Sequence, residues 1–319
     1  KNYKVYTLMN NNIKVFIISL KGSKRLPIIK KRLNKLKIKF IVIDGVKGIN
    51  YFKQKKLHLI FDQNKTLKNI NRNMSPSEIG AAASHIKTYK YIVKNNIDQA
   101  IIFEDDVYPS KKMSEWIKKK IKVNNDKILS FYAYPSGFFK KKPERVVLNS
   151  IGIHNGVTHL YNNSCYQINK HTAKKILKIT KGKVIGYADW PFNTFKHNIT
   201  CSLTLPYMAI PNDRGMSYLS SSRDEILGSK KNFFKRNLPE IIYKKFLIPF
   251  YLLFILFFFR KYKNFYFYIE HFFLKNFYEL INMFTGFYFD QKKLFFKENL
   301  YCKDLSKQVR SVYKNIYKL

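Results

Sequence analysis

The chain has 319 residues, 46% hydrophobic and 17% aromatic, enough for one large packed domain or a domain with an appendage, and global disorder is excluded. Its 60 Lys and Arg against 20 Asp and Glu leave a formal charge of +40, which calls for an anionic partner such as nucleic acid, anionic lipid or a phosphorylated substrate. The excess is mostly Lys and comes with many Asn, Ile, Phe and Tyr, so background from an AT-rich coding sequence is the alternative source of that charge. Cys165, Cys201 and Cys302 are far apart and odd in number. They form neither a metal-ligand spacing nor a disulfide framework, and they fit a reducing compartment. Lys1 to Asn12 has no apolar run leading to a small-residue cleavage site, so the expected location is the cytoplasm.

Lys14 to Leu20 is a short, β-branched apolar run and predicts a buried strand. A polar turn with Gly22 follows. Leu26, Ile29, Leu33 and Leu36 then recur at helical spacing, and Lys39 to Asp44 predicts a second strand closed by Gly45. A strand–helix–strand unit of this kind has a right-handed crossover and parallel strands. Residues 46 to 73 are polar and irregular, expected as a loop with some helix. Ser75-Pro76-Ser77-Glu78 is a helix start: Ser75 suits the N-cap, Pro76 the first helical position, and Glu78 completes a capping box. The helix carries a stripe of Ile79, Ala82, Ala83, Ile86, Tyr89 and Val93 and stops at Asn95-Asn96. A third strand, Ala100 to Phe103, runs into Glu104-Asp105-Asp106. The order begins an open, doubly wound α/β domain. Further strands are expected at Ile128–Tyr134, Val146–Ile151, Ser164–Ile168 and Thr200–Leu205, with a short helix at His171–Ile179. Composition shifts near Gly228, which divides the chain into 1–228 and 229–319.

Three acids crowded at the carboxyl end of an apolar strand sit where open α/β sheets bind ligands. Adjacent carboxylates repel unless a cation compensates. Residues two apart on an extended chain share a face, so Glu104 and Asp106 can address one ion. Mg²⁺ and Mn²⁺ favour such oxygen ligands and complete their shells with phosphate oxygens. The plainer alternative is a solvated acidic turn.

The block Met74-Ser75-Pro76-Ser77-Glu78-Ile79-Gly80, with Ser84-His85 and then Phe103-Glu104-Asp105-Asp106-Val107, resembles glycosyltransferase family 25. These are the lipooligosaccharide galactosyltransferase-type enzymes, related to collagen galactosyltransferases. Val15 to Leu20 with Arg25, Ile43-Asp44-Gly45, and Tyr166-Gln167-Ile168 followed by Ala173 are similar to further family segments, and Ala188-Asp189-Trp190 stands where members carry Pro-Val-Asp. The run Tyr161-Asn162-Asn163-Ser164-Cys165 departs from the family's Gly-Thr-Ala-Gly. The resemblance implies a GT-A-like fold, a Rossmann-type open mixed sheet with helices on both faces. It also implies a UDP-sugar donor, a divalent metal (Mn²⁺ or Mg²⁺), and transfer by a single inverting displacement, with galactose as the first candidate sugar and glucose or an N-acetylhexosamine as alternatives. The expected metal ligands are Glu104 and Asp106, with Asp105 in support. Ser19, Arg25 and Asp44 are expected at the nucleotide, Arg25 having the alternative of a solvated helix charge. His85 is expected at phosphate or metal, or else packed in the core. Asp189 is the expected general base, with Trp190 beside it for a sugar face, or else a turn cap. Asp213, Arg214 and Ser220 to Arg223 are further candidate contacts.

Phe246 to Phe259 is largely apolar, interrupted by Pro249 and bracketed by Lys244-Lys245 and Arg260-Lys261. A spanning helix needs about 20 apolar residues, so the segment is short for crossing a membrane. Its aromatic bulk and flanking lysines suit a helical region lying on an anionic membrane surface, where a glycolipid acceptor would be met. A buried helix or a re-entrant hairpin are the alternatives. A nucleic-acid-binding protein is the rival class, because Lys interleaved with Tyr and Phe suits a backbone-tracking groove. No zinc-finger, helix-turn-helix or RNP pattern supports it, and nucleic acid is not the expected partner.

Overall fold

The computed structural model describes residues 13–132, 143–156, 162–188, 192, 194–211 and 302–305. Strand β1 (Lys14–Ser19) is followed by α1 (Leu26–Lys35) and β2 (Ile41–Asp44), which pairs in parallel with β1. The expected strand–helix–strand unit is therefore formed. Between β2 and the capped helix lie α2 (Gly48–Lys53), a single 3₁₀ turn at Leu57–Leu59 and α3 (Gln63–Ile70), more helix than the polar composition suggested. Helix α4 (Pro76–Lys94) starts with both halves of its capping box made: Ser75 Oγ accepts from Glu78 N–H, and the Glu78 carboxylate accepts from Ser75 N–H. Strand β3 (Gln99–Glu104) returns beside β1, again parallel.

The rest of the chain supplies β4 (Val107–Pro109), α5 (Lys111–Lys118), β5 (Lys127–Ser130), β6 (Arg145–Val147) and β7 (Ile151–Asn155). It continues with β8 (Cys165–Asn169), α6 (Lys170–Thr180), β9 (Thr200–Leu205) and β10 (Ala209–Pro211). The run expected as one strand over Val146–Ile151 is two, turned at Leu148 and Asn149, both of which take positive φ. Among the described residues the main sheet has eight strands in the order β2-β1-β3-β8-β5-β9-β7-β6, mixed in direction, and β4 pairs with β10 in a separate two-stranded ribbon.

Alternation along β1 assigns the two faces. Val15 and Ile17 pack in a cluster with Ile29 and Leu33 of α1 and Met113 and Trp116 of α5. Phe16 and Ile18 pack with Ile86, Tyr89 and Ile92 of α4 and Ala173 and Ile176 of α6. Neighbouring residues on a strand point to opposite faces, so a run apolar at every position is covered by helices on both sides. The molecule is thus an open mixed α/β sheet with helices on both faces. The composition break near Gly228 lies outside the described residues. Beyond it, Cys302 and Leu305 are buried in the same core as Trp116 and Tyr207.

Candidate functional site

The chain runs from β1 outward to β2 and then crosses to β3 on the other side of β1, so the strand order reverses at β1. Crevices at the carboxyl ends of strands beside such a reversal are where open α/β sheets take ligands. Ser19 ends β1, Asp44 ends β2, and Glu104 ends β3, with Arg25 on the turn between β1 and α1. Parallel register places Ser19 across from Asp44 and Ile18 across from Glu104.

Asp105 is buried and held from two directions. Ser19 Oγ donates to its Oδ2 at 2.7 Å, and Arg25 Nη2 meets its Oδ1 at 2.6 Å. Arg25 Nη1 also reaches Asp106 Oδ2 at 3.2 Å, so one guanidinium bridges both acids. Arg25 is therefore an organised part of the acidic turn, in place of the solvated helix charge. Strand geometry ends at Glu104 and Asp105-Asp106 form a turn, so the alternation that would align Glu104 with Asp106 stops at the strand end.

Asp106 is the electrostatically strained member. Its Oδ1 is buried with no hydrogen-bond partner. Burial pushes its carboxyl up to about 7, the Glu104 charge pushes the same way, and Arg25 only partly opposes them. Arg25 reaches only Oδ2, so the carboxylate keeps one desolvated, unpartnered oxygen beside a second carboxylate. The donor set is hard oxygen, which matches Mg²⁺ or Mn²⁺. Among the described residues no group of three or more His, Cys, Asp or Glu is gathered to hold a metal. Glu104 and Asp106 are the residues that would hold such an ion, with phosphate oxygens and water to complete its shell.

Glu104 is reached from the other side by His85, whose Nε2 lies 3.1 Å from Oε1. His85 Nδ1 lies 2.8 Å from Tyr166 Oη, and Tyr166 Oη lies 2.7 Å from Tyr89 Oη. Both ring nitrogens are thus committed within the protein, and His85, buried on α4, meets Glu104 rather than open solvent. Burial raises Tyr89 and Tyr166 well above the usual phenol range, so both stay protonated and able to donate. With Nε2–H donating to Glu104 and Nδ1 accepting from Tyr166, every group in this chain of four is satisfied. Sequence inspection singled out Tyr166 only as part of a resemblance and gave Tyr89 only a core position. Their hydroxyls meet across 77 residues, which no local pattern reports.

Asp44 is exposed at the end of β2, with its backbone carbonyl accepting from Lys87 Nζ at 2.7 Å. The loop after it is pressed onto α4. Ser84 Oγ accepts from Val46 N–H at 2.8 Å, and a Cβ on Gly80 would stand 2.5 Å from Val46 O. Asp189, Trp190, Asp213, Arg214 and Ser220 to Arg223 lie outside the described residues. The segment leading to Asp189 is fastened beside α4. Arg72 grips Glu78 through Nη2–Oε1 at 2.7 Å and donates from Nε to Tyr187 Oη at 2.8 Å, and Asn163 Nδ2 donates to Ala188 O. A separate basic groove of about 330 Å³, rimmed by Lys14, Lys37, Lys39 and Lys118, lies at the opposite ends of β1 and β2 and holds none of the candidate residues.

An open mixed α/β sheet with an acid-bearing turn at its strand-order reversal defines the class of α/β proteins that take their ligand at such a crevice. The model of glycosyltransferase family 25 (LPS biosynthesis protein) matches residues 12–190, more than half of the chain and all of the site just described. The chain belongs to glycosyltransferase family 25. No curated protein matches it. Among solved structures it is similar to A197 from STIV, at 15% identity and a TM-score of 0.32 over 64% of this chain and 92% of that one. It is also similar to mannose-1-phosphate geranyltransferase from Thermus thermophilus, at 8% identity and a TM-score of 0.33 over 60% of this chain and 73% of that one. Among the described residues no helix is long and apolar enough to cross a membrane.

Proposed function

We propose that the chain transfers a hexose, with galactose as the first candidate, from a UDP-sugar to a lipooligosaccharide or LPS acceptor with inversion at the anomeric carbon. The observation that carries the donor half of this reading is the buried, unpartnered Asp106 Oδ1 beside Glu104 at the end of β3. Glu104 and Asp106 would hold a divalent cation, Mn²⁺ or Mg²⁺, which when bound neutralises charge on the departing diphosphate. Arg25 and Ser19 hold the Asp105 carboxylate in place, so that the turn presents Asp106 in one orientation. His85 holds Glu104 likewise. Asp44, exposed at the neighbouring strand end, would accept hydrogen bonds from the nucleotide's sugar hydroxyls. Asp189 is our choice of general base, taking the proton from the acceptor hydroxyl as the oxygen attacks.

The remaining charge has a use in the same reading. The segment 229–319, basic and rich in Phe and Tyr, would lie on the anionic inner face of the cytoplasmic membrane, where a lipid-linked acceptor is presented. The test is a panel of UDP-sugars incubated with the purified chain and Mn²⁺, following release of UDP. Metal-dependent hydrolysis of one UDP-hexose supports the reading and identifies the sugar. No turnover of any UDP-sugar with any divalent metal, in the presence of extracted glycolipid, would reject it. Liposome flotation beside oligonucleotide binding at about 150 mM salt, near the physiological screening regime, tests the membrane half. Preference for the oligonucleotide would reject that half.

A further inference from the structure

The family match ends at residue 190 and does not account for the chain's return near residue 302. Cys302 N–H donates to Tyr207 O at 3.2 Å, and Cys302 and Leu305 are buried in the main core. Between them, Asp304 Oδ2 accepts from the backbone N–H of Lys111 at 2.8 Å and pairs with Arg32 Nη2 at 2.9 Å. Arg32 is only 8% exposed, and among the described residues Asp304 is the sole carboxylate on it. Its Nε donates to Pro109 O at 2.8 Å, and its guanidinium lies 4.4 Å over the Tyr108 ring.

Arg25 is the N-cap of α1, and Arg32 lies seven residues on, about two turns along the helix. Arg25 grips Asp105 and Asp106, while Arg32 grips Pro109, so one helix holds the acid turn and β4 at both ends. The far edge of β4 is closed by β10, through Ile210 opposite Tyr108. This arrangement depends on Arg32 remaining buried, and a buried cation without its counter-charge is unstable there. Without Asp304, the guanidinium would gain by turning out to water and releasing Pro109.

We infer that Asp304 is a positioning residue: acting through Arg32 and β4, the segment Cys302–Leu305 completes the catalytic body and fixes the acid turn. The inference rests on the reading that this turn holds the donor's metal. It is tested in the full chain with Asp304→Asn and Asp304→Glu. Two measurements are made: hydrogen exchange of peptides spanning 104–110, and the Mn²⁺ requirement of UDP-sugar hydrolysis. Asp304→Asn is expected to speed exchange across the acid turn and β4. It should also raise the half-saturating Mn²⁺ by roughly tenfold, the lower end for loss of a group that supports a metal ligand. The rate at saturating Mn²⁺ should stay near wild type, and Asp304→Glu should restore both quantities. A lower thermal midpoint with unchanged exchange and unchanged Mn²⁺ requirement would overturn the inference, because Asp304 would then only add stability. Should Asp304→Asn fail to fold, Arg32→Lys reads the same link, and unchanged exchange in that variant overturns it equally. If the wild type has no metal dependence, the reading of the acid turn fails by itself and hydrogen exchange still decides the clasp.

Discussion

Replacing Asp106 by Asn should make the metal-free protein more stable while removing its response to metal. In the unfolded chain Asp titrates near its ordinary value, whereas in the folded protein burial and the Glu104 charge push Asp106 up to about 7. The folded state therefore binds the proton more tightly. The associated stability is fully present below the unfolded pKa, about 4, and is lost as pH rises through about 7. A gap of roughly three units corresponds to at most about 4 kcal/mol. The Asp106 side chain is 28% exposed, and solvent screening reduces the expected effect to about 1–2 kcal/mol. Asn is isosteric and can keep an oxygen toward Arg25, so the strain is removed without a cavity. Thermal unfolding between pH 5 and 8 is the assay. The wild type should lose midpoint as pH rises, and the variant should lose less, standing higher by a few degrees at pH 8 on the usual conversion of about 2–4 °C per kcal/mol. Adding Mn²⁺ with UDP should then raise the wild type and leave the variant unmoved. Parallel pH profiles for the two proteins, or equal stabilisation by Mn²⁺ and UDP, would refute the account of Asp106.

Gly80→Ala should destabilise despite alanine's better helix propensity, because the new Cβ would lie 2.5 Å from Val46 O and 2.7 Å from Gly48 N. The loop after Asp44 must shift, at a cost of about 3 kcal/mol or more, outweighing the gain of about 1 kcal/mol in propensity; a raised thermal midpoint would contradict this packing argument. Tyr166→Phe leaves the ring in place and removes the hydroxyl shared by His85 and Tyr89. Calorimetric Mn²⁺ affinity in the presence of UDP should fall about tenfold if the four-residue chain orients Glu104, and an unchanged affinity would confine the tyrosine to stability. Replacing residues 229–301 by a flexible linker, with Cys302–Leu305 kept, should abolish flotation with anionic liposomes while preserving metal-dependent hydrolysis. Undiminished flotation would move membrane attachment elsewhere in the chain.

The first half of the α/β body was legible because its signals are local. The β-branched run at Val15–Ile18, the helical spacing of Ile29 and Leu33, and the Ser75–Glu78 capping box each specify an element within one or two turns of chain. The acids at the end of β3 were likewise visible as a cluster. Their division of labour was not. Asp105 turned inward to Ser19 and Arg25, Glu104 met His85, and Asp106 kept an unpartnered oxygen, because the strand ended at Glu104 and alternation no longer applied.

The ribbon of β4 and β10 escaped notice for a different reason. Each strand is three residues long, and they pair across about a hundred residues of sequence, where no periodicity can develop. The same holds for Arg32 and Asp304, two ordinary charges in a chain full of lysine until folding removes one from water and leaves the other as its counter-ion. Local spacing by itself determined the strand–helix–strand opening, the capped helix and the family resemblance, since those depend on neighbours in sequence. Which carboxylates are strained, which are neutralised and how the C-terminal segment braces the turn were decided only by tertiary packing, because desolvation and long-range pairing exist only after the chain has closed on itself.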